Sequence, residues 1–412
     1  MSERIRSIKC NVQCMNFLDG MYYALYFIAF NYLFLTTTMF YNQTFWNYHG
    51  MLERAMNIVT FFLIGLSVVT IILLFDSWKE RILPAVLFGA AIAYTVMRGG
   101  TYNNDILVFF LLAICSKKKS FKLIGYMSLL SGFIWLFASL IFCKAGILRD
   151  VISFNGGHGY GILCAEDLMC HIFTMTTLLF IIRTGRPGLP SIIMSFILLV
   201  LSAVFIRSDI GFISYLVLIV VTLIYKFGAG NIPSIRKKFV VAPFGLFMII
   251  SYIVVSALTI YLTFILTPSF IEKLASGNDV FKLIALKINC GKYAFSNYRI
   301  LPFGQKVREF GEIANLRQQV YDDSYFVLDV SYMRLLFHNG YVMLAAVITL
   351  FTALEIRLYR ERQFYPMFVV MLFSLVCAVD HNMIDPAYCV FAYLMFAELD
   401  FDRPFISSYI NN

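Results

Sequence analysis

The sequence predicts an all-α polytopic membrane protein with about 12 transmembrane helices and one large extracytoplasmic loop. The chain has 412 residues, of which 60% are hydrophobic and only 14% are charged. An ordinary soluble domain carries about 25% charged residues, so this chain has too few to cover a water-exposed surface. The net charge of +9 resides mainly in short connections between apolar runs, which favours contact with anionic lipid over nucleic acid.

Apolar runs of spanning length, or close to it, recur along the whole chain. They lie at about 21–40, 57–75, 82–97, 104–115, 122–143, 160–182, 190–206, 210–225, 240–266, 332–354, 364–380 and 384–399. The fourth and the last are short for the hydrocarbon core of a bilayer. The first follows several basic residues and has no signal-peptidase cleavage pattern, so it is expected to be retained as the first helix.

The basic residues are divided unequally between the two sides of the membrane that these runs define. One set of connections, which includes both termini, holds most of them. The short connections on the opposite side hold only Arg54, Arg98, Lys144, Arg149 and Arg207. The positive-inside rule therefore places both termini in the cytoplasm.

Three parts of the chain follow from this arrangement. Residues 1–266 are expected to form transmembrane helices 1–9, residues 267–331 the extracytoplasmic loop, and residues 332–412 helices 10–12 and a cytoplasmic C-terminus. The loop mixes acidic and basic residues, and its stretches 280–288 and 307–320 have helical patterns, which predicts a small folded cap. The nine cysteines lack metal-ligand spacing, so no metal site, disulfide framework or cofactor is expected.

Three arginines stand at the outer ends of predicted helices, against the positive-inside trend: Arg98, Arg207 and Arg334. A guanidinium group matches phosphate oxygens with parallel hydrogen bonds and does not deprotonate. Their recurrence on one face predicts a joint site for a phosphate or pyrophosphate. The alternative for each is a pair with a nearby carboxylate, or a side chain that reaches the lipid headgroups.

Other ionisable residues near the outer helix ends are candidates for substrate contact. Asp167 lies in the sixth run, with His171 four residues later on the same helical face and His158 just before the run. One interpretation is functional, as a proton relay or a substrate contact. The alternative, which is equally supported, is that these residues form polar pairs that fix helix packing. A hairpin at 380–385, which contains His381, is a candidate lining of the same outer cleft, although Asp and Asn are common in any tight turn.

The junction between the loop and the tenth run carries the most specific pattern. Residues 329–340 read DVSYMRLLFHNG, which puts Arg334 and His338 one helical turn apart on one face. This segment is similar to the D-x-S-Y-x-R-L-L-x-x-x-G pattern of the O-antigen polymerase and ligase superfamily. Residues 205–211, FIRSDIG, resemble the S-R-S-G turn between two helices of that family. A large outer loop late in the chain also matches its layout.

The resemblance implies a membrane glycosyltransferase with a GT-C-like architecture in the bacterial cytoplasmic membrane. Such a polymerase joins oligosaccharide repeat units carried on undecaprenyl pyrophosphate into a capsular, exopolysaccharide or O-antigen chain, and the family implies a chain-length regulator as a partner. In the ligase branch a His-Asn pair stands where this sequence has Asp329 and Val330, which favours a polymerase. The alternatives are a ligase that uses the same donor and a transporter that moves lipid-linked repeats.

The resemblance also implies roles for the candidate residues. The three outer arginines would stabilise the charge that develops on the departing pyrophosphate, without a metal ion. Asp329 is the first candidate for the base that deprotonates the acceptor hydroxyl, Asp323 is the second and His338 is the third.

Overall fold

The computed structural model of the chain describes residues 12–98, 105–152, 156–183, 187–229, 243–310, 326–399 and 401. Within these ranges the protein is built from helices, and β pairing is confined to isolated bridges. Eight helices of this described part are long and apolar enough to cross a membrane. The predicted fold class, an all-α polytopic membrane protein, is confirmed at this level.

The eight long apolar helices run along most of the described chain. They are α2 (His49–Leu73), α3 (Trp78–Met97), α5 (Phe121–Lys144), α6 (Ala165–Ile182), α7 (Leu189–Leu201, continued by a π-helical turn, Ser202–Ile206), α8 (Asp209–Ile224), α9 (Pro243–Ile265) and α13 (Tyr341–Arg360). The other helices are α1 (Val12–Thr36), α4 (Asp105–Cys115), α10 (Pro268–Ala275), α11 (Asp279–Asn297), α12 (Ser331–Arg334) and α14 (Phe364–Val376).

Peripheral helices separate an apolar face from a face of small polar residues. In α5, Phe133 and Phe137 are exposed, whereas Ser128 and Ser131 are buried. The hydroxyl groups of Ser128 and Tyr26 in α1 share a hydrogen bond of 2.6 Å. The apolar face therefore suits contact with lipid, and the small residues let the two helices approach closely, as is usual between membrane helices.

The two shortest predicted spans differ from the peripheral helices. α4 has 11 residues, and Ile106–Cys115 is buried throughout. Residues 384–399 form turns and a short 3-10 helix, Val390–Met395, whose side chains are also largely buried. Irregular backbone is tolerated at membrane depth only where protein surrounds it. The structure therefore does not confirm the predicted count of about 12 spanning helices.

The predicted tenth span, 332–354, is interrupted near its start. α12 is a single turn, Leu335–Asn339 forms a π-helical turn, and α13 begins only at Tyr341. Between them, Gly340 has a φ of 89°, and a Cβ atom there would overlap the carbonyl oxygen of Pro302. Both the backbone conformation and the available space require glycine at this position.

The described residues between α9 and α12, 266–310 and 326–330, lie at one end of the bundle; we call these residues the cap and that end the cap end. The predicted helix 280–288 is confirmed as part of α11. The predicted helix 307–320 falls mainly outside the described residues, and its described part, 307–310, is not helical. Instead, Phe310 pairs in antiparallel fashion with Phe326.

Aromatic contacts and a helix cap fasten α11 to the bundle. The rings of Phe295 in α11 and Phe337 in the π-helical turn are 5.1 Å apart, and Phe295 also contacts Phe264 near the end of α9. The ammonium group of Lys292 donates a hydrogen bond of 3.2 Å to the carbonyl of Phe264. These contacts satisfy a terminal carbonyl of α9 and fix α11 over the cap end.

Candidate functional site

Asp167 reaches the cap end because α6 begins at Ala165 and not at residue 160. The sulfur atom of Cys164 accepts a hydrogen bond of 3.4 Å from the backbone N–H of Asp167 at the start of the helix. The carboxylate therefore lies in the first turn of α6, where the helix dipole favours negative charge. It is almost fully buried, and its Oδ1 atom lies 3.9 Å from Nε2 of His381.

The hairpin after α14 fixes His381. The side chain of Asp380 accepts hydrogen bonds from the backbone N–H of His381 (2.7 Å) and from Asn382 (2.9 Å). Its backbone carbonyl accepts from the N–H of Ser331 at 2.8 Å and from the hydroxyl of Ser331 at 2.5 Å. The hairpin is thereby tied to the start of α12, and Nδ1 of His381 comes within 4.0 Å of Oδ1 of Asp329.

Asp329 lies between the side chains of Lys287 and His381. Its Oδ2 atom is 4.0 Å from Nζ of Lys287, which also donates a hydrogen bond of 2.6 Å to the carbonyl of Val379. Burial alone would lower the pKa of Lys287, but the charges of Asp329 and Asp380 outweigh it and raise that pKa above its ordinary value. Burial would likewise lower the pKa of His381, but the hydrogen bond to Asp380 outweighs it and raises that pKa.

Arg334 and His338 share a second carboxylate, Glu309. Its Oε1 atom lies 3.3 Å from Nη1 of Arg334 and 3.3 Å from Nε2 of His338, and it accepts a hydrogen bond of 3.1 Å from the N–H of Leu328. Burial would raise the pKa of Glu309, but the charge of Arg334 and the contact with His338 outweigh it, so its pKa lies below the ordinary value. Glu309 is therefore an anion at neutral pH.

The end of α3 borders this group. Asn339 donates a hydrogen bond of 2.7 Å to the hydroxyl of Tyr94, and Arg98 caps the C-terminus of the same helix. Burial lowers the pKa of His338, and the positive charges of Arg334 and Arg98 lower it further. The hydrogen bond with Glu309 raises it, but by less, so the pKa lies below the ordinary value. The positive charges of Arg98 and Arg334 thus both favour the neutral form of His338.

These side chains form one polar group beneath the cap. We call it the central cluster: Asp167, Lys287, Glu309, Asp329, Arg334, His338, Asp380 and His381. It combines a fork-shaped guanidinium, which binds oxyanions, with a carboxylate held beside a lysine and a histidine. Such a set can hold an anionic group and accept a proton from a neighbouring hydroxyl.

A second polar group at the cap end surrounds Arg207. Arg207 ends the π-helical turn after α7 with a left-handed φ of 55°, and a Cβ atom on Gly156 would lie 3.9 Å from its Nη1 atom. Nδ1 of His158 is 2.7 Å from the carboxylate of Asp150, and the backbone N–H of His158 donates to the carbonyl of Ile206.

Tyr160 completes this second group. It has a left-handed φ of 47°, its ring stacks on His158 with centroids 5.4 Å apart, and Nζ of Lys144 lies 4.8 Å from the ring centroid. Left-handed backbone is unusual for residues other than glycine and clusters at functional sites. We call this group the rim cluster: Lys144, Asp150, His158, Tyr160 and Arg207.

The structure divides the residues that the sequence singled out between the two clusters. Five of them belong to the central cluster, with Arg98 at its border: Asp167, Asp329, Arg334, His338 and His381. Arg207 and His158 lie together in the rim cluster. Asp323 lies outside the described residues. The roles proposed for all of these residues stay predictions.

The structure also changes one predicted pair and adds two residues. His171 shares a hydrogen bond of 2.8 Å with the hydroxyl of Thr37 and stacks between two aromatic rings, while Asp167 faces His381. No specific sequence signal points to Glu309 and Lys287, because both lie among mixed charges of the cap and only tertiary docking brings them to the cluster.

A scan against protein-family models, a search of curated proteins and a search of solved structures each found no match to this chain. Among the described residues, no group of three His, Cys, Asp or Glu side chains has the arrangement of a metal site.

Proposed function

We propose that the protein is a polysaccharide polymerase that transfers a glycosyl chain from a lipid pyrophosphate to a second lipid-linked repeat unit. The cap end would face the extracytoplasmic side of a bacterial cytoplasmic membrane, and both termini would lie in the cytoplasm. The donor is a growing oligosaccharide on undecaprenyl pyrophosphate, and the acceptor is one lipid-linked repeat.

The observation that carries this proposal is the central cluster in a segment with the D-x-S-Y-x-R-L-L-x-x-x-G pattern. Arg334 uses Nη1 for Glu309, and a guanidinium has five N–H donors in total. A diphosphate would be bound through the other donors of this fork. Arg98 beside His338 adds positive charge, and preorganised donors at developing negative charge are worth about 3–4 kcal/mol each.

Asp329 is the group we propose as the general base. The acceptor hydroxyl oxygen attacks the anomeric carbon, its proton passes to the carboxylate of Asp329, and the bond from that carbon to the pyrophosphate oxygen breaks. The lipid pyrophosphate leaves with the electron pair of that bond. Lys287 and His381 flank Asp329, which fixes where its side chain lies. Asp329 in place of the ligase His-Asn pair favours polymerase over ligase.

The test compares lipid-linked intermediates in cells that depend on this chain for polymer. Wild type should give long polymer, and Arg334→Ala should leave single repeats on the lipid carrier while the protein still inserts. Arg54→Ala is the matched control, because Arg54 is exposed on α2 outside both clusters, and it should give polymer like the wild type.

Other outcomes separate the alternatives. Normal polymer in the Arg334→Ala cells would contradict the proposed anion site. Long chains that accumulate on the carrier would indicate a ligase, and repeats confined to the cytoplasmic leaflet would indicate a transporter.

A further inference from the structure

We infer that Glu309 is a positioning residue that orients the Arg334 guanidinium and the His338 imidazole toward a diphosphate ligand. This inference rests on the proposed function for the identity of the ligand. The orientation of Arg334 itself is a property of the structure that can be measured without polymer synthesis.

One carboxylate oxygen of Glu309 collects donors from two elements. Oε1 lies 3.3 Å from both Arg334 and His338 and accepts from the backbone N–H of Leu328. Hydrogen bonds that involve charged partners are stronger than neutral ones. A single oxygen thus fixes two side chains one turn apart on the α12 segment relative to each other.

Exposure indicates which of the three groups a ligand meets first. The side chain of Glu309 is 11% exposed, that of His338 is 18% exposed and that of Arg334 is 25% exposed. The guanidinium is therefore the most exposed of the three groups, and the more buried carboxylate supports it at Nη1.

The backbone around Glu309 is locked to the π-helical turn that carries His338. Gln305 donates a hydrogen bond of 3.1 Å to the carbonyl of Phe337. Gly304 has a φ of 68°, and a Cβ atom there would overlap the carbonyl oxygen of His338. Such a close approach of two backbones requires glycine. The distance from Glu309 to His338 is consequently set by backbone contacts on both sides.

Arg334 and the proposed base contact different partners. Asp329 lies only five residues before Arg334 and would be an alternative carboxylate partner for it. Arg334 contacts Glu309, and Asp329 lies 4.0 Å from Lys287 and from His381. The guanidinium and the base are thereby available for different parts of the substrate.

The experiment uses the purified full-length chain in detergent and three variants. Glu309→Gln removes the charge at nearly constant size, Glu309→Asp keeps the charge on a shorter side chain, and Glu272→Gln is the control at an exposed position of α10. Two quantities are measured: the dissociation constant of geranyl pyrophosphate, a soluble isoprenyl pyrophosphate, and the rate at which phenylglyoxal labels Arg334, followed by mass spectrometry.

Glu309→Gln should weaken geranyl pyrophosphate binding at least tenfold and speed labelling of Arg334 several-fold, because the guanidinium loses its fixed partner. Glu309→Asp should give intermediate values, and Glu272→Gln should match the wild type. If Glu309→Gln does not fold, the Asp variant provides the same comparison. Faster labelling with no pyrophosphate binding by the wild type would contradict the proposed function but support the positioning role.

Two results would overturn the positioning role. Unchanged labelling of Arg334 in both Glu309 variants would mean that the carboxylate does not hold the guanidinium. Tighter binding of geranyl pyrophosphate to Glu309→Gln would mean that Glu309 competes with the ligand for Arg334.

Discussion

The central and rim clusters lie at the same end of the bundle but hold their cations differently. In the central cluster, Arg334 and His338 are part-buried and share the carboxylate of Glu309. In the rim cluster, Arg207 is exposed, and its left-handed φ of 55° fixes where its backbone lies. A shared carboxylate thus orients the arginine of the first cluster, and a left-handed backbone places the arginine of the second.

This difference predicts different uses of positive charge. A guanidinium that is oriented before the ligand arrives can stabilise a transition state without reorganisation. An exposed guanidinium on a fixed turn can attract an anion and adjust to it. We expect chemistry at the central cluster and capture of substrate at the rim cluster, and substitutions matched between the clusters can separate these roles.

The largest difference is expected between two Asp→Asn variants. Asp329→Asn removes the proposed base and should lower kcat by about 10²–10⁴-fold with little change in KM. Asp150→Asn removes the partner of His158 in the rim cluster and should change mainly KM. Steady-state kinetics with lipid-linked repeats measures kcat and KM of both variants. Equal losses of kcat would contradict different roles for the two clusters.

A smaller but still large difference is expected between two Arg→Lys variants. Lysine keeps the charge and loses the planar fork. Arg334→Lys should therefore lower kcat/KM by about 100-fold, whereas Arg207→Lys should stay within a few-fold of wild type. The assay is the initial rate of polymer formation in reconstituted membranes. A rate for Arg334→Lys close to that of wild type would show that the orientation of the guanidinium is unimportant at the central cluster.

Each cluster borders a glycine with positive φ, and these two glycines should differ in their tolerance to substitution. Gly340→Ala adds strain and an overlap with the Pro302 carbonyl, and should cost at least about 2 kcal/mol of stability. Gly146, with a φ of 74°, has nothing within 4 Å of an added Cβ atom, so Gly146→Ala should cost only about 1 kcal/mol. Thermal unfolding of both variants in detergent provides the comparison. Equal melting temperatures of Gly340→Ala and Gly146→Ala would contradict the close backbone contact between Gly340 and Pro302.

The smallest effect is a pH dependence from His381. Burial lowers the pKa of His381, but the hydrogen bond with Asp380 outweighs this effect, so the pKa is raised in the folded protein. His381 therefore binds its proton more tightly in the folded state than in the unfolded state. The associated stability is fully present below the unfolded pKa, about 6.5, and is lost as the pH rises through the higher folded pKa. Melting temperatures should fall above neutral pH in wild type and less in His381→Gln; identical profiles would rule out this contribution.

The sequence predicted the membrane-helix class and part of the central cluster for identifiable reasons. Arg334 and His338 are one turn apart in a local motif, and their proximity follows from helical spacing. Glu309 and Lys287 reach them through docking of the cap, which depends on backbone contacts between segments distant in sequence. No local pattern encodes such contacts.

The transmembrane count shows the same limit. α4 and the segment 384–399 have the apolar composition of membrane helices, yet both are buried within the described protein. Hydropathy measures preference for an apolar environment and does not distinguish lipid from protein interior. In the same way, the i, i+4 spacing of Asp167 and His171 places them on one face of α6, whereas tertiary packing gives His171 a contact with Thr37.

Photo-crosslinking would show where a diphosphate binds. An isoprenyl pyrophosphate with a photoreactive group next to the diphosphate would be activated on the full chain in membranes, and the labelled peptides mapped. We expect labelling of the segment 329–340 that inorganic pyrophosphate competes away and that Arg334→Ala abolishes. Labelling that is confined to the rim cluster, or that persists in Arg334→Ala, would contradict this expectation.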